Sequence, residues 1–162
     1  MLHSYQRYEQ ELPKLHSSLP PGITLVSAPD FKEWLIDVQI LDSNHPIYAN
    51  QTHRLRFRFS QNYPIEAPEV MFIEVPSTMS GDQTPRTIPM HPHIYSNGII
   101  CLDLLDKAGW SPVQNVESVS MSLQSMLAGN LKNERPEGDE MFVRTNVTRP
   151  RDVKFEFHDD TC

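Results

Sequence analysis

The sequence predicts an α+β fold built on one antiparallel sheet, and three observations carry that expectation. Apolar residues recur with a period of two in several segments between Ile23 and Phe72, as in strands buried on one face. Helical spacing flanks this run, in residues 2–12 and again in 113–135. Fourteen prolines, from Pro13 to Pro150, interrupt the chain too often for a bundle of long helices. Strands followed by helices, rather than alternating with them, read as α+β. A chain of 162 residues, 38% hydrophobic and 22% charged, is expected to form one globular domain. Its core is placed at residues 1–150, with an acidic, flexible tail at 151–162. The net charge of −7 argues against a nucleic-acid partner, which would need clustered Lys and Arg. No apolar run approaches the ~18–20 residues of a membrane span, so no membrane partner is expected. Cys101 and Cys162 make no disulfide framework and point to a reducing compartment.

Taken in order, residues 2–12 place Leu2, Tyr5, Glu9 and Leu12 near helical spacing. Pro13 is expected to end or kink that helix, because proline cannot donate to the carbonyl four residues back. Pro20-Pro21-Gly22 is a break, and Ile23–Ser27 reads as a short strand. Over 32–40, Trp34, Ile36, Val38 and Ile40 alternate with Leu35, Asp37 and Gln39. Over 53–60, Leu55, Phe57 and Phe59 alternate with Arg54, Arg56 and Arg58. The arginine face is expected to be solvated, as on a half-buried antiparallel strand. Val70 and Phe72 suggest a shorter strand between Pro68 and Pro76. Residues 77–90 are polar and aperiodic and read as an extended loop. In 113–135, Val116, Val119, Leu123 and Leu127 share a helical face, Asn115 suits the N-cap and Gly129 the stop. Residues 140–148 read as a further helix.

The chemistry concentrates in residues 91–103, His91-Pro92-His93-Ile94-Tyr95-Ser96-Asn97-Gly98-Ile99-Ile100-Cys101-Leu102-Asp103. Asn97-Gly98 favours a turn with positive φ that presents Ile99–Leu102 as a short extended segment. Cys101, among isoleucines and leucines, reads by composition first as a buried small hydrophobe and second as a nucleophile. A nucleophile would need a histidine base, for which His91 and His93 are candidates by sequence proximity. His91, His93 and Cys101 are also ligand types that zinc accepts. The pattern departs from the His-x-His…Asp signature of zinc isopeptidases, because Cys101 takes the serine position and Asp103 falls one residue early. No metal site is expected.

His91-Pro92-His93, Tyr95-Ser96-Asn97-Gly98, Ile100-Cys101-Leu102-Asp103 and Trp110-Ser111-Pro112 together resemble the active-site signature of ubiquitin-conjugating enzymes. Glu11-Leu12, Trp34, and Tyr63-Pro64 with Pro68 and Val70 extend the resemblance to about residues 3–148. His93 where the family has Asn, Phe142-Val143-Arg144-Thr145, and the ending His158-Asp159-Asp160-Thr161-Cys162 are similar to the W-type branch, which attaches ubiquitin to the α-amino groups of substrate N-termini. The resemblance implies the family fold: an N-terminal helix, a four-stranded antiparallel meander, an active-site loop carrying the catalytic cysteine, and C-terminal helices. It implies that Cys101 accepts the ubiquitin C-terminus as a thioester and that an amine then attacks it. His93 and Asp103 would assist catalysis, while His91, Pro92, Tyr95 and Asn97 would shape the loop. Arg7, Ile65, Pro112 and Val113 would meet the ligase, with Ile65 standing for a usual Phe, and Glu134 would approximate the family's acidic gate. No cofactor is implied. The partners implied are ubiquitin, the activating enzyme, RING or U-box ligases and substrates with flexible N-termini, in cytoplasm and nucleus. Two alternatives remain at this point: a non-catalytic variant that binds ubiquitin as a scaffold, and an enzyme for another ubiquitin-like modifier. Residues 73–90 are longer than the corresponding loop of the W-type branch.

Overall fold

In a computed structural model of the chain, the residues described are 2–145 and Pro150, with side chains from Ser4 onward. The expected tail at 151–162 and the end of the helix expected over 140–148 lie outside them. The order is α1 (Leu2–Ser17), β1 (Ile23–Ser27), β2 (Glu33–Gln39), β3 (Thr52–Arg58), β4 (Glu69–Ile73), α2 (Val116–Ala128) and α3 (Asp139–Thr145). The strands form one antiparallel meander in the order β1-β2-β3-β4. No helix among the described residues is long and apolar enough to cross a membrane.

Register turns the period-two pattern into a core. Trp34, Phe57 and Val70 lie opposite one another across the sheet, as do Ile36, Leu55 and Phe72, and all six are buried. Val116, Val119, Leu123 and Leu127 of α2 join them in the same cluster. His53 is in phase with this face, opposite Val38, and is fully buried. Asn115 caps α2 with its side chain on the Ser118 amide at 2.8 Å, while Ser118 Oγ accepts from the Asn115 amide at 2.8 Å. Gly129 follows the helix as its C-cap.

Two expectations need correction. Pro13 does not end the first helix, which runs on to Ser17. The residues beyond and around it hold it in place. Leu15 is buried, and buried Glu11 accepts hydrogen bonds from the Tyr63 hydroxyl and, at 2.8 Å, from the Val116 amide at the start of α2. A proline inside a helix costs about 3 kcal/mol, and burying one Leu side chain offsets about 1.5–3 kcal/mol.

The arginine face of β3 is not solvated throughout. Arg54 is buried and forks onto Asp37, its register partner on β2, at 2.8 and 3.1 Å. Arg86 from the 77–90 segment is buried over the same carboxylate, at 3.0 Å. Arg86 also holds Asp82 at 2.9 Å, and an isolated bridge pairs it with Val75. A guanidinium and a carboxylate facing each other across strands provide a base onto which the insertion folds. Only Arg58 keeps to the solvated reading, with an exposed pair to Glu33. The 77–90 segment, expected as an extended loop, thus carries a 3-10 turn at Ser77–Met79 and a buried anchor.

Candidate active site

The segment 88–102 is bound to β4, an edge strand of the sheet, through Met71 and Phe72. Gly98 has φ +92°, and its carbonyl accepts the Phe72 amide at 3.0 Å. A Cβ at Gly98 would lie 1.9 Å from the Phe72 carbonyl oxygen, so the close approach requires glycine. Asn97 Oδ1 accepts the Ile99 amide at 3.2 Å, and the Tyr95 carbonyl accepts the Gly98 amide at 2.9 Å. The expected turn is therefore present, and it delivers Ile99 and Ile100 into bridges with Met71 and Ile94.

Cys101 follows directly. Its amide donates to the His93 carbonyl at 2.8 Å, which fixes the cysteine backbone against the second histidine. The His93 amide in turn donates to His91 Nδ1 at 2.8 Å, and the Ile94 amide to the His91 carbonyl at 3.1 Å. Burial pushes His91 down to about 4, with the neighbouring His93 adding to the effect and the Met126 carbonyl opposing it. Burial, and secondarily Lys132, also lowers His93. Both imidazoles are thus neutral near pH 7. With Nδ1 accepting from the backbone and the other nitrogen directed to a carbonyl, His91 is committed to holding the loop rather than to a metal. Among the described residues there is no group of three or more His, Cys, Asp or Glu arranged to hold a metal ion. Cys101 is 2% exposed. It is disulfide-bonded in this structure, where the sequence suggested no disulfide. Asp103 stands exposed at the start of a 3-10 turn, Asp103–Leu105.

Residues outside the motif hold this loop, and the sequence reading gave them no such part. The Tyr48 hydroxyl donates to the Met90 carbonyl, and Asn130 donates to the Tyr48 oxygen at 2.7 Å. Arg135 reaches the carbonyls of Pro89, Ile94 and Ile88 at 2.6, 3.1 and 3.1 Å. Helix α3 closes on the far side: Asp139 Oδ1 accepts the Ser96 amide at 2.8 Å, and the Phe142 ring stacks on Tyr95 at 3.6 Å between centroids. In the sequence Phe142 stands out only as part of a four-residue motif, and Arg135 lies in an aperiodic stretch that offers no signal. Glu134, beside it, is exposed.

A second cluster gathers the remaining site residues. Trp110 Nε1 donates to the Pro64 carbonyl at 2.7 Å, tying the loop after β3 to the loop before α2. On these joined loops Ile65 is 71% and Val113 81% exposed, next to exposed Pro112, an apolar patch open to a partner. Arg7 differs from them. Its guanidinium pairs with Glu11 at 3.0 Å, donates to the Pro112 carbonyl at 2.8 Å and to the Gln114 carbonyl, and lies 5.8 Å from the Tyr63 ring centroid. It fastens the Pro112–Gln114 loop to α1.

Comparison with known proteins follows the same outline. A family model described as "Ubiquitin-conjugating enzyme" matches residues 7–154. The chain is 36% identical to a probable ubiquitin-conjugating enzyme E2 W-A of Danio rerio, over 100% of both chains. It is 38% identical to a probable ubiquitin-conjugating enzyme E2 W of Dictyostelium discoideum, over 96% of this chain and 95% of that one. Among solved structures, the ubiquitin conjugating enzyme E2 UbcA1 from Agrocybe aegerita superposes with a TM-score of 0.80 at 40% identity, covering 91% of this chain and 98% of its own.

Proposed function

Since the chain belongs to the ubiquitin-conjugating enzyme family, and to its W type, we propose that Cys101 is its thioester site and that substrate N-terminal α-amino groups are its acceptors. Ubiquitin, an activating enzyme and ubiquitin ligases are the partners this membership brings. In the first transfer the Cys101 thiolate attacks the carbonyl of the ubiquitin C-terminus in the activating enzyme's thioester, and that enzyme's thiolate leaves. In the second, an unprotonated amine attacks the Cys101 thioester, an amide forms, the Cys101 thiolate leaves and the amine gives up a proton. Both steps start from the reduced protein.

The observation that carries the α-amino reading is a neutral imidazole, His93, whose own carbonyl holds the Cys101 amide. An uncharged imidazole N–H is a hydrogen-bond donor suited to a developing oxyanion, and it brings no positive charge to repel an ammonium. With a pKa of about 7.7–8.0, an α-amino group is roughly 10–20% free amine at pH 7, against about 0.04% for a lysine. Such an acceptor needs less help with deprotonation, so the site can dispense with part of the usual apparatus. Exposed Asp103, two residues past Cys101, supports the reading as a carboxylate open to an ammonium. The exposed Ile65–Pro112–Val113 patch supports a RING or U-box ligase as the docking partner.

Single-turnover discharge tests this. The reduced protein is charged with activating enzyme, ATP and ubiquitin, then offered either a lysine-free peptide with a free N-terminus or an Nα-acetylated peptide with one lysine. Discharge faster on the first is the expected result; equal rates would remove the α-amino reading and leave the conjugating activity standing. In Cys101→Ser the reductant-sensitive ubiquitin adduct should disappear. No such adduct in the wild type would favour a scaffold, and an adduct formed only with another ubiquitin-like modifier would reassign the modifier.

A further inference from the structure

The loop that carries His91, Pro92 and His93 is held by one guanidinium from a different part of the chain. Arg135 follows α2 by several residues, yet its Nη1 lies 2.6 Å from the Pro89 carbonyl and 3.1 Å from that of Ile94, and its Nη2 lies 3.1 Å from that of Ile88. These three carbonyls bracket the histidine motif on both sides. No ion pair to Arg135 occurs among the described residues. Its donors are directed to backbone oxygens, an arrangement that a planar fork of five N–H groups permits and a lysine ammonium does not reproduce. Within 88–94, Tyr48 and Asn130 reach the Met90 carbonyl, and on the motif's C-terminal side Arg135 holds the Ile94 carbonyl. From there the path to the cysteine is short: the His93 carbonyl accepts the Cys101 amide.

We propose that Arg135 is a positioning residue for ubiquitin transfer, its guanidinium fixing the His91–Ile94 turn and, through the His93 carbonyl, the backbone of Cys101. The proposal rests on Cys101 being the thioester site. Arg135 acts through the loop and touches neither ubiquitin nor the amine. A loop freed at all three carbonyl anchors still carries the thiol that the activating enzyme charges. It no longer holds His93 in one place relative to the thioester while the amine attacks. Misplacement of about 1 Å in such a site can cost up to about 100-fold in rate.

The test separates the two half-reactions in the full, reduced chain. For R135Q we expect thioester formation to the wild-type end point, and discharge to a free-amine peptide slowed at least about tenfold at saturating amine. The amine concentration for half-maximal rate should be unchanged, because the binding surface for the amine is not touched. R135K should fall between R135Q and wild type, and guanidinium ion at low concentration should raise the discharge rate of R135A without raising that of wild type. Discharge of R135Q at the wild-type rate would overturn the proposal, as would charging and discharge falling in the same proportion, which marks general loss of structure. If R135Q does not fold, R135K decides: discharge at the wild-type rate from a lysine that cannot bracket three carbonyls overturns it equally. A wild type that takes no ubiquitin at all overturns the Cys101 reading beneath it, and is recognised as such because no variant is needed to see it.

Discussion

At Gly98 the backbone turns with φ +92°, and a side chain there would strike the Phe72 carbonyl oxygen at 1.9 Å. Alanine must therefore both adopt a strained backbone and push the loop off β4, breaking the bond from the Phe72 amide to the Gly98 carbonyl. The expected result for Gly98→Ala is a loss of about 2 kcal/mol or more, a fall in thermal midpoint of roughly 4–8 °C for a domain of this size, with slower charging of Cys101. A second residue, Asp37, stands between two buried guanidiniums, Arg54 at 2.8 Å and Arg86 at 3.0 Å. Removing it in Asp37→Ala leaves two buried cations without their shared carboxylate, and the expected cost is about 3 kcal/mol or more, read by chemical denaturation. Limited proteolysis should then cut first within 77–90, because Arg86 is the anchor of that segment. The two residues differ in how far the sequence disclosed them. Asn97-Gly98 announces a turn by dipeptide chemistry alone. The burial of Arg54 depends on what folds over it from thirty residues away, so the strand pattern that places it on the outer face says nothing about whether that face is covered.

Elements show the same division between local and distant causes. The ends of α2 follow from residues in and next to the helix: Asn115 and Ser118 satisfy each other's amides, and Gly129 follows the last turn. Asn115→Ala should cost about 1 kcal/mol, within a range of 0.5–2, and circular dichroism melting should show it without a change in the folded spectrum. A cost near zero would mean that Glu11, which accepts the Val116 amide at 2.8 Å from α1, carries the helix start alone. The strands were legible because each buries one face, so the period of two is written in apolar residues. Helix α1 was legible only to Pro13. What carries it further is tertiary: Leu15 on the core and the Glu11 carboxylate received by Tyr63 and Val116. The candidate active-site segment 91–103 is marked in the sequence by its motif, which includes the cysteine and both histidines. The side chains that hold it come from three places, Tyr48 from the β2–β3 connection, Asn130 and Arg135 from the α2–α3 connection and Phe142 from α3, with no pattern in common, and only folding brings them to one loop.

At the scale of the whole molecule, three histidines, His53, His91 and His93, form a pH-dependent reserve of stability. His53 is fully buried on the core face of β3, with Nδ1 2.8 Å from the Thr87 carbonyl, and burial lowers it; His91 and His93 are lowered mainly by burial as well, His91 to about 4. Each is neutral in the folded protein at a pH where the unfolded chain, with an ordinary histidine value near 6.5, already binds a proton. The unfolded state then holds more protons, so stability rises with pH through this window and falls on acidification. For His91 the window runs from about 6.5 down to about 4, a difference on the order of 3 kcal/mol. Carboxylates enter later and with the same sign: Asp82 and Asp30 are lowered, the first mainly by Arg86 and the second by backbone amides of Lys32 and Glu33, so their contributions are lost only below the ordinary carboxylate range. The thermal midpoint should therefore decline between pH 7 and pH 5, above the range in which the lowered Asp82 and Asp30 titrate. His91→Gln, whose amide oxygen can still accept the His93 amide, should flatten that decline. An unchanged slope in His91→Gln would locate the dependence in His53 and His93 instead; no decline in the wild type would refute the account. The same proton has a local effect. Protonated, His91 Nδ1 can no longer accept the His93 amide, and the loop whose His93 carbonyl holds the Cys101 amide loses a support. Acidification should thus slow discharge from Cys101 by more than the fall in free amine alone requires, at a pH where the fold is still intact, and the rate corrected for free amine, set beside the melting curve, separates the local loss from the global one.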